Sequence, residues 1–210
     1  FNTYLGYEVI APAANFNYST SYLFSNGPFS HLGLKADFAL SDDFSLMLAV
    51  MNVTDTNNNL SGVYSAGAQI GYSGHYLNFY YDGGETLGLE IDYTGGFDLS
   101  DKFFLGINAA YTDDEGDGFA GAALYPQFKT SDNFSLGLRG EYFGTRIDGV
   151  DDNPNVTAVT LTGSYSVENL LIKPEIRLDS WGNDFEPYFD NDRDPSNGLS
   201  SFLIAAIYSF

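Results

Sequence analysis

Ser131-Asp132-Asn133-Phe134-Ser135-Leu136-Gly137-Leu138-Arg139-Gly140-Glu141-Tyr142 is the stretch that decides the fold. A short polar turn leads into a run where Phe134, Leu136, Leu138, Gly140 and Tyr142 alternate with Ser135, Gly137, Arg139 and Glu141. Successive side chains of a strand point to opposite faces, so this strand has one greasy and one wet face. The same turn stands at Ser41-Asp42-Asp43-Phe44 and Ser100-Asp101-Lys102-Phe103, and each copy runs on as Phe-x-Leu. Looser turns lie at Ser73-Gly74 and Val167-Glu168-Asn169. A turn about every 30 residues, with a longer and more acidic loop between each pair, predicts an up-and-down meander of hairpins.

The alternation continues outward from that stretch. Leu170, Ile172, Pro174, Ile176 and Leu178 alternate with Leu171, Lys173, Glu175, Arg177 and Asp179. Leu32, Leu34, Ala36, Phe38 and Leu40 alternate with Gly33, Lys35, Asp37 and Ala39, and Leu87, Leu89, Ile91 and Tyr93 with Gly88, Glu90, Asp92 and Thr94. Period two predicts twelve strands, near 2–9, 31–41, 44–53, 62–72, 75–82, 86–98, 103–112, 118–129, 134–143, 156–166, 169–179 and 200–210. Most match the roughly 9–11 residues that a tilted strand needs to cross a bilayer. Pro126 and Pro174 fall inside strands and are expected to mark bulges. Strand 118–129 alternates weakly, which suggests contact with a partner rather than lipid.

Period two does not say which face is inside. A soluble barrel or sandwich buries the greasy face, whereas a membrane barrel shows it to lipid. Three features favour lipid. Tyr or Phe stands at many strand ends, as interfacial girdles do. Loop length alternates, short at one end and long at the other. The last strand carries Phe202, Ile204, Ala206, Tyr208 and Phe210 on one face and ends there. The expected fold is therefore all-β, a single transmembrane antiparallel β-barrel over 1–210. The short turns and both termini are expected at the periplasmic end. Segments 10–30, 54–61, 83–85, 113–117, 144–155 and 180–199 are expected as loops at the other end.

Composition narrows the function. Lys and Arg number 8 against 28 Asp and Glu, a net charge of −20, which makes nucleic acid an unsuitable partner. There is no Cys, so disulfides and thiolate chemistry are out. No run of about 18 apolar residues exists to form a spanning helix. The chain opens Phe1-Asn2-Thr3-Tyr4 with no signal-peptide pattern, and is taken as a mature form or a fragment.

The C-terminal third carries, in order, Leu138-Arg139-Gly140-Glu141-Tyr142-Phe143, Asp148-Gly149, Thr160-Leu161-Thr162-Gly163-Ser164-Tyr165 and Leu170-Leu171-Ile172-Lys173-Pro174-Glu175-Ile176-Arg177-Leu178-Asp179. In these motifs the chain resembles the OmpL-like family of β-barrel porins, outer-membrane pores of the Bacteroidetes type. Upstream, Leu5-Gly6-Tyr7-Glu8, Tyr22-Leu23-Phe24-Ser25 and Met51-Asn52-Val53-Thr54-Asp55 are similar to it as well. The resemblance implies a bacterial outer-membrane location and no catalytic residues. Such proteins carry further strands ahead of the position matching Phe1, in which case twelve is an undercount.

The site expected from these patterns is a pore. Its lining candidates are Glu8, Lys35, Asp37, Glu90, Asp92, Arg139, Glu141, Lys173, Glu175, Arg177 and Asp179. The bases Lys129, Arg139, Lys173 and Arg177 would face the acids Asp82, Glu90 and Asp92 across the lumen, setting a transverse field. The competing reading is local salt ladders such as Lys173–Glu175, Arg177–Asp179 and Arg139–Glu141. Segment 10–30 is too greasy for a free loop. Phe16, Tyr18, Tyr22, Phe24 and Phe29 are expected to fold inward as a constriction; the competing reading is that 18–25 adds a strand or packs on the rim. The run Asp190-Asn191-Asp192-Arg193-Asp194 lacks the glycine and the late glutamate of a calcium loop, and is read as solvated. His31 and His75 have no companion motif for nucleophilic catalysis. No enzyme chemistry, cofactor or metal is expected.

The expected function is passive diffusion of small hydrophilic solutes or ions, with outer-membrane lipid around the barrel. Two alternatives stand beside it. One is a closed structural or accessory barrel in a larger envelope complex with protein partners. The other is a soluble secreted β-protein binding ligand or metal.

Overall fold

A computed structural model describes residues 1–210, the whole of this chain. The polar turns do cut the chain into antiparallel strands. They are β1 (Gly33–Ala39), β2 (Phe44–Asn52), β3 (Tyr64–Tyr72), β4 (His75–Tyr81), β5 (Leu89–Ser100), β6 (Phe103–Asp113), β7 (Gly118–Lys129), β8 (Phe134–Arg146), β9 (Asn155–Val167) and β10 (Leu170–Gly182). A small hairpin, β11 (Tyr188–Phe189) with β12 (Pro195–Ser196), sits in the last long loop, and β13 (Gly198–Tyr208) follows. Each serine-headed turn closes the same way. The Ser41, Ser100 and Ser131 hydroxyls accept from the N–H of Phe44, Phe103 and Phe134, fixing the hairpin register.

Eleven strands form one sheet in the order β1-β2-β3-β4-β5-β6-β7-β8-β9-β10-β13. Every neighbour is antiparallel, and each is the next strand along the chain once the separate β11–β12 hairpin is set aside, which is the expected meander. The greasy rows face out. Leu138, Ile176 and Phe202 are 37%, 49% and 65% exposed, while their neighbours Arg139 and Glu175 are 0% and 2% exposed. Apolar side chains outside and charged side chains inside are the pattern of a barrel surrounded by hydrocarbon.

The expected first strand is absent. Residues 2–9 join no ladder apart from one bridge between Asn2 and Ser30, so the count is eleven in the main sheet, not twelve. Gly6 takes φ +82°, which breaks the pleat, and its N–H goes to the Asp92 carboxylate instead of a neighbouring strand. Residues 1–32 run inside the sheet and fold back on themselves. Glu8 accepts from the Ser21 N–H and hydroxyl, and Thr3 N–H donates to Phe29. The amino end thus lies beside His31 and Asp55 at the long-loop end, opposite to its expected place.

This folded-back segment touches β3 through Tyr4 at Gly67 and β10 through Ser19 at Glu175. On a flat sheet β3 and β10, seven steps apart, would stand about 34 Å from each other, yet a segment closed on itself by its Thr3–Phe29 and Glu8–Ser21 bonds meets both. The sheet is curled around it. Two apolar clusters form where segment and sheet meet. Leu23 packs with Phe119, Ala123, Tyr125, Phe143 and Val156, and Leu5 with Met47, Ala49, Met51 and Tyr80. The weak alternation of β7 follows, because Phe119, Ala123 and Tyr125 face this insert and not water.

Two further expectations change. Pro126 and Pro174 leave register intact on both sides: Leu124 pairs Gly140 and Gln127 pairs Gly137, while Ile172 pairs Tyr165 and Glu175 pairs Thr162. Each costs a ladder bond without inserting a residue, and the register shift lies at Asp98/Ser100 instead. β1 pairs only with β2, and β13 only with β10. Ten antiparallel steps separate them, so the two edges run in the same direction.

Candidate functional site

Backbone without regular structure cannot be left unpaired at membrane depth, so an irregular insert needs partners for its N–H and C=O groups. The charged inner face supplies them. Glu175 on β10 accepts from the N–H groups of Tyr18 and Ser19 at 2.7 and 2.9 Å, and from the Thr162 hydroxyl at 2.6 Å. Glu141 on β8 accepts from Tyr22 and Leu23 at 3.0 and 2.9 Å. Those are the first N–H groups of the one-turn helix α1 (Tyr22–Asn26), which Ser21 caps through Phe24 N–H. Asp92 on β5 accepts from Gly6 at 3.0 Å and from the amides of Asn78 and Asn108 at 2.6 Å each.

The bases take the carbonyls. Arg139 donates to Ser19 and Thr20 carbonyls at 2.6 and 3.1 Å and to Glu8 at 2.7 Å. Arg177 donates to Thr20 O at 2.6 Å and pairs with Asp179 at 2.7 Å. Lys173 donates to Asn15 O. Tyr22 ties the upper end, its hydroxyl donating to Asp179 and meeting the Tyr188 hydroxyl, each at 2.9 Å.

Ring shape is accommodated by glycine. A Cβ on Gly106 would stand 2.3 Å from the Tyr7 hydroxyl, and one on Gly137 would stand 2.2 Å from the Phe16 ring. These bare backbone patches let the rings approach β6 and β8 closely. Tyr7 also stacks on Tyr125, with ring centres 4.3 Å apart.

The predicted residues therefore sort as follows. Glu90, Asp92, Arg139, Glu141, Lys173, Glu175 and Asp179 lie buried on the inner face, with Arg177 nearly so. Glu8 belongs to the insert, not to a strand. Lys35 and Asp37 form an exposed 2.9 Å pair on β1, away from the others. Phe16, Tyr18 and Tyr22 lie on the inward segment, and Phe24 and Phe29 pack together with ring centres 5.2 Å apart near Asp55. Of the opposed walls, Lys129 lies at the turn end in an exposed pair with Asp132.

Asp82 lies in the β4–β5 loop, outside the strands. Burial raises its pKa, but the Thr86 hydroxyl and the N–H groups of Leu87, Glu85 and Gly84 outweigh that and hold it below the ordinary value. Of the salt ladders, Arg177–Asp179 forms, whereas Arg139 and Lys173 reach the insert. Sequence spacing could not show that these charges serve a segment more than 100 residues away. The one signal was an aromatic-rich stretch, 10–30, too apolar for a solvated loop.

A cavity of about 400 Å³ remains toward the turn end, bordered by Glu8, Asn15, Phe16, Tyr125, Gln127 and Lys173. His31 is buried with Nε2 3.0 Å from the Thr3 hydroxyl, and His75 meets the Tyr93 hydroxyl at 2.8 Å. A family model described as "Putative beta-barrel porin-2, OmpL-like" matches residues 1–210. No curated protein matches the chain.

Proposed function

This chain belongs to the OmpL-like family of β-barrel porins, and from that membership we propose that it forms a passive pore in a bacterial outer membrane. The pore passes small hydrophilic solutes or ions, without catalysis or energy input, and residues 1–32 narrow it from within. The observation that carries this reading is the pairing of an apolar outer surface with an inner face whose charges hold a separable segment. Contacts made by side chains to a backbone insert differ from the packed core of a small closed barrel. The 400 Å³ space beside the insert suits solutes of sugar or amino-acid size.

Planar-bilayer recording tests it. The intact chain should give small, steady conductance steps, and deletion of residues 12–27 should enlarge them several-fold. Equal conductance with and without that stretch removes the constriction. Silence in both supports the second reading, a closed accessory barrel in an envelope complex, which the dense anchoring of the insert favours. Both readings need the edges of β1 and β13 to be covered, because a bilayer does not tolerate a bare sheet edge.

A further inference from the structure

Lys173 on β10 is 3% exposed, yet no carboxylate stands within ion-pair distance of it. The ion pairs of the chain take Lys35, Lys129, Arg139, Arg146 and Arg177. The other two bases, Lys102 and Arg193, are exposed in a turn and a loop. Lys173 is thus the one buried base without an acid against it. Glu175 shares its face two residues on, but the oxygens of Glu175 are taken by the N–H groups of Tyr18 and Ser19 and by the Thr162 hydroxyl. An ammonium carries three donors. One of them goes to Asn15 O, and the other two have no partner in the chain. A buried cation left so is unfavourable and suits an anionic oxygen.

Lys173 borders the cavity of about 400 Å³ between the insert and the turn end of the sheet. Gln127 on β7 and Ser164 on β9 border it too, partly buried, and neither side chain is engaged within the chain. The stacked rings of Tyr7 and Tyr125 supply apolar wall. Glu8 is the one acid on the lining, and its two oxygens are held by Arg139 and by Ser21. The cavity therefore offers one free positive charge, two uncharged polar side chains and aromatic surface. One positive charge matches one negative charge, and a dianion would bring its second charge toward Glu8. The amide and the hydroxyl suit the hydroxyl groups of a solute, and the rings suit its carbon chain.

We propose that this cavity is a binding site for a small hydroxylated monocarboxylate. Its carboxylate meets the Lys173 ammonium, and its hydroxyls meet Gln127 and Ser164. The site names a solute class for the pore reading and rests on that reading for its role, a stopping place on the way through. Its chemistry is measured by binding, apart from conduction.

The test titrates the full chain, refolded in detergent, with sodium gluconate at constant ionic strength and follows the heat of binding. Sorbitol is the same carbon chain with an alcohol in place of the carboxylate, and glucarate has a carboxylate at both ends. Gluconate should bind about tenfold or more tightly than sorbitol, as a hydrogen bond to a charged group allows, and more tightly than glucarate. Lys173→Met should erase the advantage over sorbitol, whereas Lys102→Met should keep it. The proposal is overturned if gluconate binds no better than sorbitol or glucarate, or if its affinity is undiminished in Lys173→Met or equally lost in Lys102→Met. Lys173 also holds the Asn15 carbonyl, so Lys173→Met could fail to refold. Gln127→Glu then decides: it adds a negative charge to the cavity and leaves that bond in place. It should weaken gluconate about tenfold, and undiminished affinity overturns the site. Steady conductance without gluconate binding removes the site and leaves the pore. Binding with a silent bilayer removes the pore and leaves the site.

Discussion

Arg139 and Glu8 pair at 2.7 Å with both side chains essentially inaccessible, although 131 residues separate them. The pair joins the sheet to the segment that fills it. Removing one member leaves the other charge buried alone, which costs about 3–5 kcal/mol. Glu8→Gln and Arg139→Met are each expected to lower the melting temperature and to enlarge conductance. The double variant should recover part of that stability. A thermal double-mutant cycle showing purely additive losses would remove the pair from its anchoring role.

The glycine seats make a second prediction. Gly106→Val pushes a branched side chain into Tyr7, and Gly137→Val does the same to Phe16. Overpacking costs about 1–3 kcal/mol, and it falls on the docking of the insert more than on the ladders. Protease cleavage within residues 10–18 should therefore accelerate in both variants while the heat-modifiable band persists. Unchanged cleavage would mean that the rings do not rest on those strands.

Lipid exposure gives a third. Leu138 faces outward opposite Leu161 of β9. Leu138→Arg should cost about 2–4 kcal/mol of folding in a bilayer, the price of a cation near the midplane. Leu138→Phe should be near neutral. If refolding into lipid vesicles tolerates the arginine equally well, the outer rows do not meet hydrocarbon.

The free edges give a fourth. β1 and β13 run in the same direction, so direct pairing would be parallel, whereas antiparallel closure needs an odd number of strands between them. The chain contains no native cysteine, so Ala36→Cys with Ile204→Cys reports closure cleanly. In the membrane-inserted protein the two should resist oxidative cross-linking. Efficient disulfide formation would show β1 laid directly on β13.

Acid should loosen the upper end of the insert. Burial pushes the pKa of His31 down to about 4, helped by the Phe1 amino group and partly offset by Asp55. The unfolded imidazole binds its proton near pH 6.5, so the unfolded state takes up protons first. The contribution of this site is fully present above about pH 6.5 and declines as the pH falls toward 4. Stability curves of the parent and His31→Gln should diverge across that interval. Parallel curves would clear His31 of the effect.

The strand plan was open in the sequence because it depends on neighbours. A serine hydroxyl closes its own turn three residues on, and period two sorts each strand's faces without reference to anything distant. Eleven of the expected strands lie within a few residues of their predicted bounds for that reason. Residues 2–9 failed the same logic, because Gly6 turns out of the pleat and its N–H finds Asp92, 86 residues away.

Hairpin order, two-faced strands and the side that carries charge follow from the order of residues alone, because each depends on near neighbours. What those charges do was settled by the fold. Whether Glu141, Glu175 and Arg139 line water or grip a backbone depends on what occupies the space they enclose. That occupant has no periodicity of its own. Its shape comes from hydrogen bonds to strands that meet around it only once the sheet has curled.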